Sequence, residues 1–416
     1  MLALGWLATA SLLIVPLAVS PGLIDRYRVI KESLARAEGI VGAFLILVAV
    51  VFVGTQRLKE LLRERAVVAV VAAGVSWVTV TTFVSTHRMH SVDGLVTFIG
   101  SVLVFVTVWY AAPRISLVAL DLLVPVALVN IGLVALQRYG VYQPFQSSPL
   151  MPRHLTATGF IGNPNIVGSY MTLATVIFAA AATQARGARR WLYAFGAVCT
   201  TAGALLSETR TAVIALVAGL ILLAVGRSWK RAAVAGAAVA LLFALGIALK
   251  VRVVLEVLSL PRVVAKRGLD VASSGRITPL LSALEMARDR PVTGMGPGTF
   301  AYHYMPYKIR TADKYALASV VNMNFGEAHN DHVQVLAETG VPGYVLFLAA
   351  VLLLVRAVRS VPPVDLRQKV ARGIVVPLAG TLLVLCIAQF PLYVPITRHL
   401  VVSMAGLLIG WSRTCE

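Results

Sequence analysis

About a dozen apolar stretches run through this chain, and what separates them is mostly Arg and Lys. They fall at 2–19, 39–55, 66–84, 94–112, 115–136, 166–183, 191–206, 212–225, 232–249, 341–355, 373–390 and 396–411. A helix needs about 20 apolar residues to cross the hydrocarbon core, and only a helix or a closed barrel satisfies its backbone there. Hydrophobic residues make up 58% of the 416 and charged residues only 13%, too little polar surface for a soluble protein of this length. The expected fold class is an all-α polytopic membrane protein of about twelve transmembrane helices. The first stretch lacks a basic segment before it, so a retained helix is expected rather than a cleaved signal.

The basic clusters orient the spans. With the N-terminus in the cytoplasm, Arg57, Lys59, Arg63 and Arg65 lie inside, as do Arg186, Arg189 and Arg190. Arg227, Lys230 and Arg231 follow, then Arg356, Arg359, Arg367, Lys369 and Arg372. Every cluster satisfies the positive-inside rule without adjustment. Both termini are then cytoplasmic, and the sizeable outer loops are 21–38, 137–165 and 250–340. The chain divides into transmembrane helices at 1–249, an extracytoplasmic loop domain at 250–340, and a last group of helices at 341–416.

Topology alone does not account for the net charge of +19. The outer segments carry Arg138, Arg153, Arg210, Arg252, Arg262, Lys266, Arg276, Arg288, Arg290, Lys308 and Arg310, among others. Cations on a translocated face imply an anionic partner, such as a lipid phosphate, a pyrophosphate or a phosphorylated glycolipid. Anionic lipid headgroups are the bland alternative. Nucleic acid does not fit that side. Cys199 and Cys386 lie in apolar stretches and Cys415 near the C-terminus, so no disulfide framework or Cys-based metal site is expected.

Within the long outer loop, Ile277, Leu280, Leu281 and Leu284 repeat at helical spacing, and the pattern ends near Arg290-Pro291. The turn Gly294-Met295-Gly296-Pro297-Gly298 lacks the Lys-Ser/Thr and the preceding strand of a nucleotide loop. A second helix is expected from an Asn330 or Asp331 cap to Glu338, closed by Gly340.

Three constellations can carry chemistry. Ser207-Glu208-Thr209-Arg210-Thr211 interrupts an apolar run, where charge is costly. It reads either as an Arg–Glu pair closing a helix hairpin or as an Arg aimed at phosphate, which the planar guanidinium binds bidentately. Gly275-Arg276 opens the amphipathic loop helix, where a helix N-terminus already favours anions. Glu327-Ala328-His329-Asn330-Asp331-His332 offers an imidazole able to take a proton from a sugar hydroxyl. His329 and His332 with one Asp do not make a complete zinc ligand set. No D-x-D pair occurs in an outer loop to hold a divalent cation, so neither metal nor cofactor is expected.

Taken in order, these pieces resemble the O-antigen ligase family, which groups with O-antigen polymerases and bacterial O-oligosaccharyltransferases. The resemblance rests on Gly159-Phe160-Ile161-Gly162-Asn163-Pro164-Asn165, on Ser207–Ala212, on Gly275-Arg276, and on Pro291-Val292-Thr293-Gly294-Met295-Gly296. It continues through His329-Asn330-Asp331-His332 to Gly340, with His332 where the family more often has Tyr. It implies a GT-C-like glycosyltransferase fold in the bacterial inner membrane with a periplasmic active site. The implied reaction is en bloc transfer of a glycan from undecaprenyl pyrophosphate to a sugar hydroxyl of lipid A–core, with inversion. His329 is then the base, and Arg210 and Arg276 bind the pyrophosphate; Arg153, Arg288 and Asn330 are further candidates for substrate contact. A polymerase, a protein O-oligosaccharyltransferase and, from another class, a flippase of lipid-linked glycan stay open. A flippase predicts ionisable residues deep in several spans, for which Asp121 is the main sequence candidate.

Overall fold

The computed structural model describes residues 2–23, 25–144, 157–225, 252–315 and 324–413; the side chains of 267–272 are outside that description. Among the described residues every regular element is helical. The α-helices, in chain order, are α1 (Leu2–Ile14), α2 (Arg28–Phe52), α3 (Gln56–Arg63), α4 (Arg65–Phe83), α5 (Arg88–Ala111), α6 (Val118–Arg138), α7 (Pro164–Gln184) and α8 (Gly187–Leu206). They continue with α9 (Arg210–Val225), α10 (Arg252–Ala272), α11 (Ile277–Asp289), α12 (Phe300–Tyr315), α13 (Asp331–Ser360), α14 (Leu366–Ala388) and α15 (Pro395–Ser412).

Among the described residues seven helices are long and apolar enough to cross a membrane: α2, α4, α5 with the turn after it, α6, α7, α13 and α14. Leu2–Leu17 and α9 are apolar but shorter. The expected spans at 191–206 and 396–411 fall on α8 and α15, whose first turns carry Arg189 and Arg190, and Arg398 and His399. The expected span at 232–249, with the cluster Arg227, Lys230 and Arg231, lies outside the described residues. Among the described residues the structure is thus all-helical with seven candidate spans, and the dozen of the sequence is not confirmed.

The bundle is organised around α7, which is buried along nearly its whole length from Val167 to Ala181. It packs against α8, α9 and α14. In lipid, helices associate through close packing of small residues rather than through hydrophobic exclusion. Gly168 is the clearest case: a Cβ there would lie 2.7 Å from Ser207 Oγ and 2.9 Å from the Cβ atoms of Thr209 and Ala212. That close approach holds the 207–211 turn against the start of α7, where Thr209 Oγ1 donates to Pro164 O at 3.2 Å. Asn163 caps α7 by accepting from Asn165 N at 2.8 Å, with Pro164 in the first turn.

The two ends of the bundle differ in character. At one end the basic clusters tie helix termini together: Arg57 donates to Trp109 O and Tyr110 O, Arg189 pairs with Asp121 at 3.0 Å, and Arg413 pairs with Glu64 at 2.6 Å. Asp121 is therefore part of a terminal ion pair and not an isolated mid-span charge. At the opposite end α11, α12 and the start of α13 sit over the bundle, joined to it by Ser85 Oγ→Met295 O (2.8 Å) and Trp77 Nε1→Thr339 O (2.8 Å).

The glycine-rich turn is the socket for α13. Met295 N and Gly296 N donate to Ala337 O and Glu338 O, each at 2.9 Å, and Val341 N donates to Pro291 O at 2.8 Å. A Cβ on Gly340 would lie 2.0 Å from Val292 O, and φ there is +69°, so the helix kinks at this residue and then continues to Ser360. Asn330 caps its start, accepting from Val333 N at 3.0 Å.

Gly168→Ala is expected to destabilise the protein by about 1–3 kcal/mol through overpacking, read as a lowered Tm in detergent. Gly132→Ala, where a Cβ meets nothing within 4 Å, is expected to leave the Tm unchanged or slightly raised.

Candidate active site

Backbone strain marks the site before any side chain does. Among the described residues the non-glycine positions with positive φ are Glu208 (+53°), Ser274 (+57°) and His329 (+54°). Each lies at the entrance to a helix, and together they immediately precede or include the three residues singled out by sequence. Residues held in the left-handed region cost free energy and cluster where function requires them. The entrances are those of α9, which Arg210 begins, of α11, which follows Arg276, and of α13, which follows His329 and Asn330. Helix N-termini present unpaired N–H groups and partial positive charge, so three of them around one space favour an anion.

The fold brings Arg210, Arg276 and His329 close enough for their charges to act on one another. Burial, and then the charge of Arg210, lower the pKa of Arg276. Its Nη1 donates to Ala388 O at the end of α14, at 3.3 Å. Arg210 Nη2 donates to Ser274 Oγ at 3.0 Å, and its Nε lies 3.9 Å from Glu256 on α10. The neighbouring Glu208 faces Arg138 and Arg252 instead. The hairpin-closing Arg–Glu pair is thus Arg138 with Glu208, and Arg210 is left with one long carboxylate contact. Two guanidiniums so arranged, with that little neutralisation, attract a multivalent anion.

The imidazole of His329 is held in its neutral form. Burial first, and the charge of Arg276 second, lower its pKa to about 4 against the partial opposition of a backbone hydrogen bond. That bond runs from Nδ1 to Glu327 O at 3.1 Å. A carbonyl only accepts, so the proton sits on Nδ1 and Nε2 carries the free lone pair. The ring packs edge-on against Phe325 and Phe390, with centroids at 5.1 and 4.7 Å. Among the described residues Nε2 has no protein partner.

The loop that carries His329 is fastened on every side to the 383–393 segment. Asn330 Nδ2 donates to Ile387 O at 2.8 Å, Asp331 Oδ2 accepts from Leu392 N at 2.8 Å, and Ala328 N donates to Gln334 Oε1 at 2.7 Å. His332 Nε2 donates to Leu383 O at 3.0 Å while its Nδ1 accepts from Tyr344 at 3.3 Å. Both ends of the Asn330 amide and both nitrogens of His332 are thereby occupied by the protein, which gives them the work of holding His329 in place. Arg28 completes the frame, pairing with Glu327 at 2.7 Å and donating to Tyr393 O at 3.2 Å.

The remaining sequence candidates lie elsewhere. Arg288 sits at the far end of α11, about 18 Å along the helix from Arg276. There the buried carboxylate of Glu285 gathers Arg288, Arg310 and Lys314. Arg153 lies outside the described residues. His303 meets Thr86 Oγ1 at 3.2 Å and the His87 ring at 4.7 Å, away from His329. Sequence reading missed Glu338, whose carboxylate accepts from Gly298 N, Phe300 N and Tyr393 OH. It also missed a buried knot in which Ser11, Glu38 and His399 meet at 2.7–3.1 Å. No local motif marks either, because their partners are distant in the chain.

Residues 195–348 match the family model described as O-antigen ligase. The match contains Arg210, Arg276 and His329. No curated protein matches the chain.

The pH profile follows from these shifts. A base whose pKa is lowered is active above that pKa and is lost as pH falls through it. The acid limb of kcat/KM is expected near pH 4, and Arg276→Gln should move it upward by removing the neighbouring charge, while Arg276→Lys should not. An unmoved limb in the Gln variant would contradict the coupling.

Proposed function

We propose that this chain is an O-antigen ligase: it transfers a glycan en bloc from undecaprenyl pyrophosphate to a sugar hydroxyl of lipid A–core, on the periplasmic side of a bacterial inner membrane. The observation that carries the reading is the convergence of Arg210 and Arg276 on a neutral His329 with a free Nε2. The orientation is supported by the separation of the basic clusters from the site, at opposite ends of the bundle, with both termini cytoplasmic. Lipid-linked glycans are the substrates the family implies in general.

In this reading the donor pyrophosphate sits between Arg210 and Arg276, near the N-termini of α9, α11 and α13. The acceptor hydroxyl approaches Nε2 of His329, which takes its proton as the oxygen attacks the anomeric carbon. The bond from that carbon to the pyrophosphate oxygen breaks, and the electron pair leaves with the pyrophosphate. Its growing charge meets the two guanidiniums, fixed in advance and partly shielded from water, where such stabilisation is strongest. Direct displacement inverts the anomeric configuration. Arg does not serve as the acid, since it stays protonated, and a pyrophosphate needs none. Asn330, His332 and Arg28 act on His329 through position alone.

The donor also adjusts the base. Its negative charge opposes that of Arg276 and raises the affinity of His329 for a proton once the complex has formed. The imidazole is thus free in the empty site and more basic when there is a hydroxyl to deprotonate.

Replacing His329 by Ala is expected to cut transfer by about 10²–10⁴-fold with normal membrane insertion; near-normal transfer would remove the base assignment. Ala at Arg210 or Arg276 is expected to raise the donor KM. In a deletion strain, the ligase reading expects full-length polymer held on the undecaprenyl carrier and uncapped lipid A–core. Single repeat units on lipid A–core would identify a polymerase.

A further inference from the structure

A cavity of about 690 Å³ borders the loop before His329, at Gly326 and Glu327. Its mouth is formed by Arg28, Glu32, Asp93, Glu327 and Tyr393, at the end of the bundle that holds the site. Its depth is formed by Val71 of α4, Phe347 and Leu354 of α13, Val375 of α14 and Leu408 of α15. Neither Arg210, Arg276 nor His329 lines it, yet Glu327 does, two residues before His329 and bonded to it through the carbonyl.

Three features specify what the cavity holds. Along α13 beyond the kink at Gly340 the lining runs from Gly343 to Leu354, about 16 Å at 1.5 Å per residue, or about half of one hydrocarbon core of about 30 Å. The depth is apolar apart from Ser101, so it takes an alkyl chain and rejects free saccharide. Its volume is that filled by a drug-sized ligand, about 300–1,000 Å³, which is part of a lipid rather than the whole. At the mouth every cation is matched: Arg28 with Glu327 (2.7 Å), Arg36 with Asp93 (2.9 Å) and Glu32 (3.0 Å), and Arg398 with Glu32. Paired carboxylates and guanidiniums offer donors and acceptors to sugar hydroxyls but no net positive charge to a pyrophosphate. Arg210 and Arg276 are not part of this lining.

We infer that this cavity is the seat of the acceptor: it holds the hydrocarbon of a membrane glycolipid and presents the sugar head at the Arg28–Glu327 mouth to His329, while the polyprenyl donor enters from the side of Arg210 and Arg276. The inference rests on the ligase reading for the reaction, and on the cavity itself for the site. It gives the His329 loop a second task, separating two lipids of similar apolar character by the charge of their heads.

The test uses full-length protein in nanodiscs and three photoreactive lipids: lipid A–core with a diazirine in an acyl chain, undecaprenyl pyrophosphate with a diazirine in the prenyl chain, and a phosphatidylcholine control. The acyl probe is expected to label α4 and α13 at Val71 and Phe347, above the control, and the prenyl probe to label neither. Val71→Trp and Ala350→Trp, which fill the cavity, are expected to raise the acceptor KM by about tenfold, as for the loss of about two buried methylene contacts, with the donor KM unchanged. Labelling of the cavity by the prenyl probe, or a rise in donor KM instead, would overturn the assignment, and so would acyl labelling no stronger than the control. Labelling by the acyl probe without any transfer by wild-type protein would discard the ligase reading and keep the cavity; transfer without labelling would do the reverse.

Discussion

A guanidinium half-buried beside a second guanidinium and an imidazole is unfavourable until an anion arrives, and the rest of this structure arranges and tolerates that conflict. Arg276 is held by a carbonyl at the end of α14, Arg210 by a serine hydroxyl and a distant carboxylate. Neither receives a close ion pair. Burial first, and the charge of Arg276 second, keep His329 deprotonated, so in the proposed reaction one arrangement serves both the clamp and the base. The left-handed backbone at Glu208, Ser274 and His329 is the conformational cost of turning three chain segments into one space.

Holding that arrangement requires rigidity around it. Gly168 brings the 207–211 turn against α7, and the glycine-rich turn receives the kink at Gly340 with backbone contacts that no side chain would permit. The His329 loop is pinned by Asn330 and His332 to the last turns of α14 and by Asp331 to the segment after it. Small displacements here would change the distance between base and clamp, on which proximity effects depend steeply. The helices α11 and α12 and the start of α13 are therefore part of the scaffold of the proposed site, joined to the bundle at Trp77, Ser85 and Arg28.

Much of this was legible in the chain. Charge within apolar surroundings identified Arg210, the amphipathic spacing located α11 with Arg276 at its start, and the cap residue Asn330 placed α13. These signals are local, so sequence carries them. Arg288 had the same credentials as Arg276 but sits at the other end of the same helix, a separation of about 18 Å that composition does not reveal. The glycine-rich turn announced close approach without naming its partner, which is the backbone around Glu338. The knot of Ser11, Glu38 and His399, and the cavity between α4, α13, α14 and α15, arise only when distant helices meet. Among the described residues the stretches of α8 and α15 do not count among the seven candidate spans, because each begins with a charged turn.

The central claim is that His329 is a neutral imidazole with its proton on Nδ1. Nitrogen-15 NMR of selectively labelled histidine, assigned by the His329→Gln variant, reads both protonation and tautomer directly in nanodiscs. The account expects the neutral Nδ1–H form from pH 6 to pH 8 in the donor-free protein, with added undecaprenyl pyrophosphate moving its titration to higher pH. An imidazolium near neutral pH, or a neutral ring protonated on Nε2, would contradict it.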